Sequence, residues 1–319
     1  GFSSLPTLNY KSDRLRDAIY RAEDSVAQRY VREPFLMDGW RLDVAETIGR
    51  QDDVQVHHEV WPEFRASVKG ANPDAYIMGE AGVDASELLQ GNELDAVMNY
   101  YGFCTPLRQW LSGNIVFEPE SDGNHALKMG VEDFDAWLKS ARAAVPYAVS
   151  LSMYNMMGSH DCARILYHLA NDIRKLKMAL VFQFGYVGVP ALYYGDEIGM
   201  SGTATNESAR SCMEWNEKNG NMDVYELVRK LCALRRKSAA LQKGGMSTVS
   251  AKDNVYWFAR FLKNENVLVV MNNSAESVKS EADLTVLSVG SGARFKDEVS
   301  GEVFTAENHR LALHMEPYS

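Results

Sequence analysis

The stretch Asp38-Gly-Trp-Arg-Leu-Asp-Val44 decides the fold of this 319-residue chain. Side chains on a β-strand alternate between its two faces, so Arg41 and Asp43 are predicted on one face and apolar side chains on the other. The apolar face suits packing under helices, and the charged face suits the interior of a parallel barrel. Buried charges require partners, and these two residues can pair with each other. Taken alone, the segment could instead hold a structural ion pair, which is the less favoured interpretation.

Three further apolar stretches predict strands that end in polar groups, namely Ala75–Glu80, Asn155–Asp161 and Val189–Glu197. In parallel barrels, ligands bind at the carboxyl ends of the strands. Glu80 and Asp161 are therefore predicted to lie near Asp43. Each feature alone is weak, because a Glu after a strand often caps a helix and a His-Asp pair is often structural. Asp196 and Glu197 are interpreted as structural.

Strands alternate with helices in the first three quarters of the chain, which indicates βα units and a parallel sheet. The pattern includes a helix predicted over residues 12–33 and a strand predicted over residues 35–45. After Gly244, short strands separated by turn residues predict a β-sandwich. The sequence therefore predicts an α/β domain over residues 1–243, followed by a C-terminal all-β sandwich domain over residues 244–319.

Composition narrows the choice of partners and compartment. The formal net charge of −10 opposes binding to phosphate backbones, so no nucleic-acid partner is expected. The sequence has no apolar run of about 18 residues, so no membrane partner is expected either. The four cysteines have no CxxC spacing. This pattern argues against a zinc or redox site and favours free thiols in a reducing compartment such as the cytoplasm.

Three carboxylates at the ends of three barrel strands suit glycoside hydrolysis, which uses paired acids at one site. With these residues in place, the sequence resembles the α-amylase family, glycoside hydrolase family 13. The resemblance rests on Leu5-Pro-Thr-Leu-Asn9, Gly39-Trp-Arg-Leu-Asp43, Gly79-Glu80 and Ser159-His-Asp161, in the family's order and spacing. It implies a partial TIM (β/α)8 barrel, strands 4–8, without strands 1–3. Five strands cannot close an eight-stranded barrel, so we expect a fragment with little activity alone and a tendency to associate.

The resemblance also implies a role for each residue of the site. Asp43 would be the nucleophile, Glu80 the general acid/base, and Asp161 would stabilise the distorted sugar. Arg41 would orient Asp43 and keep it ionised. Glu80 must carry a proton when the substrate binds. The implied substrate-binding residues are Arg41, His160, Arg210, Asn99 and Tyr100. The resemblance implies no metal ligand and no cofactor in this chain. It leaves open a calcium site in the N-terminal part, with strands 1–3, that the resemblance implies is missing.

Within the family, Met98-Asn-Tyr100 and Tyr193–Gly199 point to the intracellular maltodextrin group of neopullulanases, cyclomaltodextrinases, maltogenic amylases and maltodextrin glucosidases. The expected activity is retaining hydrolysis of α-1,4 bonds in maltodextrins, cyclodextrins or starch-type glucans. An α-glucan oligosaccharide is the expected ligand, and homo-oligomers are left open. A 4-α-glucanotransferase and a noncatalytic carbohydrate-binding homologue remain alternatives. Two departures bear on specificity: Ala81–Val83 replaces a Trp-containing segment of many relatives, and Asn206 replaces an acid.

Overall fold

The computed structural model describes residues 5–113, 129–204 and 207–319, so Asn206 lies outside the described residues. The chain divides into two compact units. One holds the residues up to Tyr101 together with Ala141–Tyr154, and the other holds Gly102–Ser140 and Asn155–Ser319. The predicted boundary between residues 243 and 244 is a different division and stays a prediction.

The described strands follow one another in this order: β1 Gly39–Leu42, β2 Arg50–Gln51, β3 Val54–Gln55, β4 Tyr76–Ala81, β5 Ala96–Asn99, β6 Tyr154–Met156, β7 Val189–Ala191, β8 Gly245–Lys252, β9 Val255–Leu262, β10 Glu265–Asn272, β11 Val278–Asp283, β12 Arg294–Lys296, β13 Val303–Thr305 and β14 Arg310–Met315. The described α-helices are α1 Asp13–Arg16, α2 Val26–Arg29, α3 His57–Ala71, α4 Thr105–Ser112, α5 Val131–Ala143, α6 Tyr147–Ser152, α7 Ile165–His168, α8 Ile173–Gly185, α9 Met222–Lys237 and α10 Ala239–Lys243.

A parallel sheet forms the centre of the first unit. Strand β1 pairs with β4, with Leu42 opposite Gly79. Strand β4 pairs with β5, with Glu80 opposite Met98, and β5 pairs with the first residue of β6. In the second unit the remainder of β6 is followed in the sheet order by β7. The order β1-β4-β5-β6-β7 confirms the predicted parallel sheet of βα units.

The back of this sheet is apolar, as the alternation of side chains predicts. Trp40 and Leu42 pack against the buried core of the first unit. A Cβ atom on Gly79 would lie 2.7 Å from the Leu94 side chain and 2.8 Å from that of Ala45. Only glycine therefore allows β4 to approach its neighbours this closely, and Glu80 follows it on the opposite face.

The predicted continuous helix over residues 12–33 is wrong. Helix α1 ends at Arg16, a π turn spans Asp17–Arg21, and Ala22 then adopts an extended conformation before α2 begins. Tertiary contacts override the helical periodicity here. The Tyr20 hydroxyl donates to Glu63 on α3 at 2.8 Å, and Gln28 Nε2 donates to the Tyr20 carbonyl at 2.9 Å.

The strand predicted over residues 35–45 is correct only for Gly39–Leu42. Leu36 and Val44 both adopt positive φ, at 49° and 43°, which an extended strand does not allow. The turn at Val44 starts a 3₁₀ helix, Ala45–Thr47, directly behind Asp43. The nucleophile position predicted from the sequence therefore lies one residue beyond the end of its strand.

An aromatic core binds the C-terminal strands to the helices of the second unit. Trp110 stacks on Phe134 with ring centroids 4.6 Å apart, and Phe134 meets Tyr256 of β9 edge-on at 5.3 Å. Asn273 Nδ2 also donates to the Trp110 carbonyl at 2.7 Å. Strand β9 is buried on both faces, because Trp257 points into a second core shared with β11 and β14.

The C-terminal region is all-β apart from one 3₁₀ turn, Thr285–Leu287, which confirms the predicted fold class. Strands β8, β9 and β10 form an antiparallel sheet in the order β10-β9-β8. Two antiparallel pairs, β11 with β14 and β12 with β13, follow it. Among the residues that the structure describes, no helix combines the length and apolar character that a membrane crossing needs.

His168 gives the second unit a testable dependence on pH. Burial, aided by the nearby Arg108 charge, lowers the pKa of His168 to about 3. The unfolded chain protonates this ring below about pH 6.5, whereas the folded chain does not. The free energy of unfolding should therefore fall as the pH drops below 6.5. A His168→Gln variant should lose this part of the slope in urea titrations between pH 7 and 4.

The matched control is His314→Gln, which makes the same change at an exposed histidine of β14. Its urea titrations should keep the slope of the unmodified chain. Equal slopes for the unmodified chain and the His168→Gln variant would show that His168 does not cause the acid sensitivity.

Candidate active site

The first group of predicted site residues lies at the carboxyl ends of β1 and β4. Leu42 is opposite Gly79 in the register of β1 and β4, and Asp43 and Glu80 are the residues that follow them. The two carboxylates therefore lie at the same level of neighbouring parallel strands. Arg41 lies on β1 with its side chain on the same face as Glu80. The fold thus places three predicted site residues side by side.

Arg41 contacts both carboxylates. Its Nη1 donates to Asp43 Oδ1, and its Nη2 lies 3.0 Å from Glu80 Oε2. The guanidinium also rests against Met98 of β5, whose sulfur lies 3.4 Å from Nε. The Val44 N–H donates to Glu80 Oε2 at 3.0 Å, so the turn after β1 also holds the carboxylate on β4.

The two carboxylates differ sharply in exposure. The Asp43 side chain is 76% exposed and that of Glu80 only 17%. Two acids in different environments are the arrangement from which enzymes obtain different acid–base roles. The Arg41 guanidinium, close to both, is the local source of positive charge.

Asn99 and Tyr100 lie at the end of β5, next to this group in sequence and sheet order. Asn99 is opposite Ala81 in the register, and its side chain is buried. Tyr100 is fully buried and begins a π turn, Tyr100–Cys104. Their assignment as substrate-binding residues stays a prediction.

The second group of predicted residues lies in the loop after β6, in the second unit. Arg210 Nη2 donates to Asp161 Oδ1 at 2.9 Å, and Arg210 Nε donates to the His160 carbonyl at 2.6 Å. His160 Nε2 lies 3.2 Å from Asp161 Oδ2. Both oxygens of Asp161 are therefore held, one by an arginine and one by a histidine. The sequence named all three residues, and the fold brings them together.

Sequence reasoning missed two buried arginines of the second unit, and the first of them supports this loop. Arg108 on α4 is fully buried and donates to the Met157 carbonyl at 2.6 and 2.8 Å and to the Ala163 carbonyl at 2.7 Å. These carbonyls flank Ser159–Asp161 on both sides. The available signal was a charged residue between Leu107 and Trp110 on a helix that is otherwise apolar on that face.

Arg164 is the second arginine, and it supports the structural interpretation of Asp196. It donates to the Tyr194 carbonyl at 2.5 Å, and its guanidinium lies over the ring of Tyr193 at 4.5 Å. Its Nη1 lies 3.7 Å from the Asp196 carboxylate, which is buried. Burial raises the pKa of Asp196 to about 7, with Arg164 opposing the shift. A carboxylate sealed in this way cannot reach a sugar.

The two groups belong to different units, so the meeting of Asp43, Glu80 and Asp161 at one mouth stays a prediction.

Within the described residues, one set of side chains has the spacing of metal ligands: His57, His58 and Glu87, whose ligand atoms lie within 4.8 Å of one another. These residues lie outside both groups.

With this geometry in place, comparison with known proteins identifies the chain's relatives. Residues 1–230 match the family described as the catalytic domain of alpha amylase. The chain belongs to the α-amylase family. Residues 246–319 of this family member match the C-terminal domain of maltogenic amylase. The resemblance drawn from the sequence motifs is thereby confirmed.

Three curated relatives illustrate the similarity of this chain to other members of the family. A cyclomaltodextrinase of Geobacillus thermopakistaniensis is 35% identical over 295 residues, which cover 92% of this chain and 45% of the relative. Neopullulanase 2 of Thermoactinomyces vulgaris is 35% identical over 317 residues, or 99% of this chain and 49% of the relative. The intracellular maltogenic amylase of Bacillus subtilis is 30% identical over 87% of this chain and 43% of the relative.

The fold is also shared with solved α-amylase family structures. The crystal structure of a debranching enzyme from Nostoc punctiforme matches with a TM-score of 0.81 at 26% identity, covering 98% of this chain and 61% of that chain. The predicted fold class, part of a TIM barrel followed by C-terminal β-sheets, is confirmed. The chain spans about half the length of the curated relatives it matches.

Arg108 supplies a test of how this family member holds its second group. An Arg108→Met variant should lower the free energy of unfolding by about 2–5 kcal/mol, because two buried carbonyls lose their donor. Chemical denaturation of the 319-residue chain measures this. The control is Arg229→Met, which removes an exposed arginine that pairs with Glu226 on α9 at 2.7 Å. It should change stability by less than about 0.5 kcal/mol, and equal losses in both variants would contradict the role of Arg108.

Proposed function

We propose that this chain supplies the catalytic acids of a retaining glycoside hydrolase acting on the α-1,4 bonds of maltodextrins, cyclodextrins or starch-type glucans. One observation carries the proposal: a single guanidinium, that of Arg41, contacts both Asp43 and Glu80 at the ends of neighbouring strands. Retaining enzymes require two carboxyl groups about 5–5.5 Å apart. The names of the relatives support the choice of α-glucans as substrate.

In the first step, Asp43 attacks the anomeric carbon and forms a glycosyl ester. At the same time Glu80 donates its proton to the departing glycosidic oxygen. The greater exposure of Asp43 suits a group that must reach the sugar, and the lower exposure of Glu80 supports a different role for that carboxyl group. Both Arg41 and the Val44 N–H contact Oε2 of Glu80, which supports Oε1 as the atom that carries the transferred proton.

In the second step, Glu80 takes a proton from water, and the resulting hydroxide equivalent attacks the anomeric carbon. The bond to Asp43 breaks and the original anomeric configuration returns. Arg41 balances the charge on whichever carboxylate is ionised at each stage, because it contacts both. The chemistry needs no cofactor and no metal in this chain.

We assign Asp161 the stabilisation of the positively charged, distorted sugar in the transition state, with Arg210 and His160 as its positioning partners and as contacts to the sugar hydroxyls. The hydrogen bond from Arg210 to Asp161 Oδ1 and the His160 ring 3.2 Å from Oδ2 support this assignment, since they hold the carboxylate before the sugar arrives. Asn99 and Tyr100 complete the proposed set from the end of β5.

The proposed setting is the cytoplasm, with no nucleic-acid or membrane partner. The name of the intracellular maltogenic amylase relative supports the compartment, and the free cysteines agree with it. Association of copies stays a prediction. The low activity expected of the 319-residue chain alone stays a prediction.

The central test is the change Asp43→Asn in the polypeptide in which this sequence naturally occurs. Turnover of maltodextrin and cyclodextrin should fall by roughly 10³-fold or more, because the amide cannot form the ester. Sugar binding, measured by calorimetry, should persist. The control is Asp38→Asn, the same change at the opposite end of β1, which should leave turnover unchanged. Full turnover in the Asp43→Asn variant would remove Asp43 from the nucleophile role.

A second measurement separates hydrolysis from glucosyl transfer, which shares the first step. Incubation with maltotriose should give glucose and maltose alone if water accepts the glycosyl group. Products longer than maltotriose would identify a 4-α-glucanotransferase. Binding without any product would favour a noncatalytic carbohydrate-binding protein.

A further inference from the structure

We propose that His57, His58 and Glu87 form a binding site for a Zn²⁺-class divalent cation, with Glu93 orienting His58. The site is independent of the proposed hydrolysis. It joins the start of α3 to the 3₁₀ turn Ser86–Leu89. The ligand atoms of the three residues lie within 4.8 Å of one another.

The donor set matches the cation. Two imidazoles and a carboxylate are the ligands that Zn²⁺ binds, at about 2.0–2.2 Å each, which places neighbouring ligand atoms about 3.3 Å apart around a tetrahedral ion. His58 Nε2 and Glu87 Oε2 are 3.8 Å apart. The ring of His57 lies beside that of His58, with centroids 4.1 Å apart. To close the site, His58 Nε2 and Glu87 Oε2 would have to approach each other by about 0.5 Å.

Glu93 is the feature that turns a cluster into an oriented site. Its carboxylate is buried and lies 2.7 Å from His58 Nδ1, so in a neutral His58 ring that nitrogen donates and Nε2 presents its lone pair. That lone pair faces the Glu87 carboxylate, and two acceptors in this position repel each other unless a metal cation or a proton lies between them. A carboxylate behind a metal-binding histidine is the usual outer contact of such sites.

Two buried atoms in the cluster support the same conclusion. Within residues 5–113, 129–204 and 207–319, neither His57 Nδ1 nor Glu93 Oε2 has a hydrogen-bond partner. His57 is only 8% exposed and Glu93 only 3%. Buried polar side-chain atoms without a partner are exceptional in folded proteins, which marks this cluster as a candidate ligand site.

Arg50 is the competing cation. Its Nη2 pairs with Glu87 Oε1. The metal and Arg50 therefore draw on the same carboxylate, Arg50 through Oε1 and the metal through Oε2. A protonated His58 is the other way to satisfy Glu87, and it needs no metal. These two alternatives make the proposal testable, because each predicts a different response to substitution.

The experiment is calorimetric titration of the metal-stripped 319-residue chain with Zn²⁺, and with Co²⁺ to record the visible absorption of a tetrahedral ion. One Zn²⁺ per chain is expected. His58→Gln and Glu87→Gln should each weaken binding at least about tenfold, and Glu93→Gln by about 10–100-fold. Because the His58 and Glu87 side chains are each 51% exposed, these variants should fold normally, as circular dichroism will verify.

Arg50→Gln is the sharpest variant, because removing the competitor should tighten Zn²⁺ binding. The matched control is His314→Gln: His314 Nε2 also lies near a glutamate, Glu316, at 3.9 Å, and the change should have no effect. Absence of stoichiometric Zn²⁺ binding would overturn the proposal in favour of a protonated His58. Equal weakening by His58→Gln and His314→Gln would also overturn it, by showing only nonspecific surface binding.

Discussion

The contact of one guanidinium with two carboxylates is the interaction on which the first unit's site depends. Arg41 reaches Asp43 on its own strand and Glu80 on the next, and Met98 supports it from the third. A lysine could not replace it, because a single ammonium lacks the fork that spans two acceptors. The parallel register supplies the rest, since it brings residues of the same face of β1, β4 and β5 to one level.

In the second unit, buried arginines donate hydrogen bonds to backbone carbonyl groups. Chain segments that leave the carboxyl ends of strands have carbonyl groups that no neighbouring strand can satisfy, and buried carbonyls need donors. Arg108 provides donors on both sides of the loop that holds Asp161. Arg260 does the same where α8 meets β8, donating to the Gly185 carbonyl at 3.1 Å and to the Gly244 carbonyl at 2.9 Å. Planar groups with five N–H donors are suited to several carbonyls at once.

The sequence correctly predicted features that depend on residues close together in the chain, such as strand alternation and short motifs. Strand alternation identified the side of β1 that carries Arg41, and the motif ending in Asp161 identified its partner His160. Sequence patterns did not predict the features that depend on contacts between residues distant in the sequence. The helical pattern of residues 12–33 yields to Glu63, which draws Tyr20 away from a regular helix. No spacing rule links His58 to Glu87, because the fold alone brings α3 next to the turn that follows β4.

That last juxtaposition bears on the segments that follow the two proposed catalytic carboxylates, Asp43 and Glu80. Strands β1 and β4 position the segments that lead into Asp43 and Glu80. After Asp43 the backbone continues into the β2–β3 hairpin, and after Glu80 it continues into the turn Ser86–Leu89. The ion pair between Arg50 and Glu87 joins these two segments. The proposed cation would join the same turn to α3 through His58. Either tie limits the motion of the backbone that leaves the site, so an electrostatic contact outside the chemistry helps to keep the two carboxylates at a fixed separation.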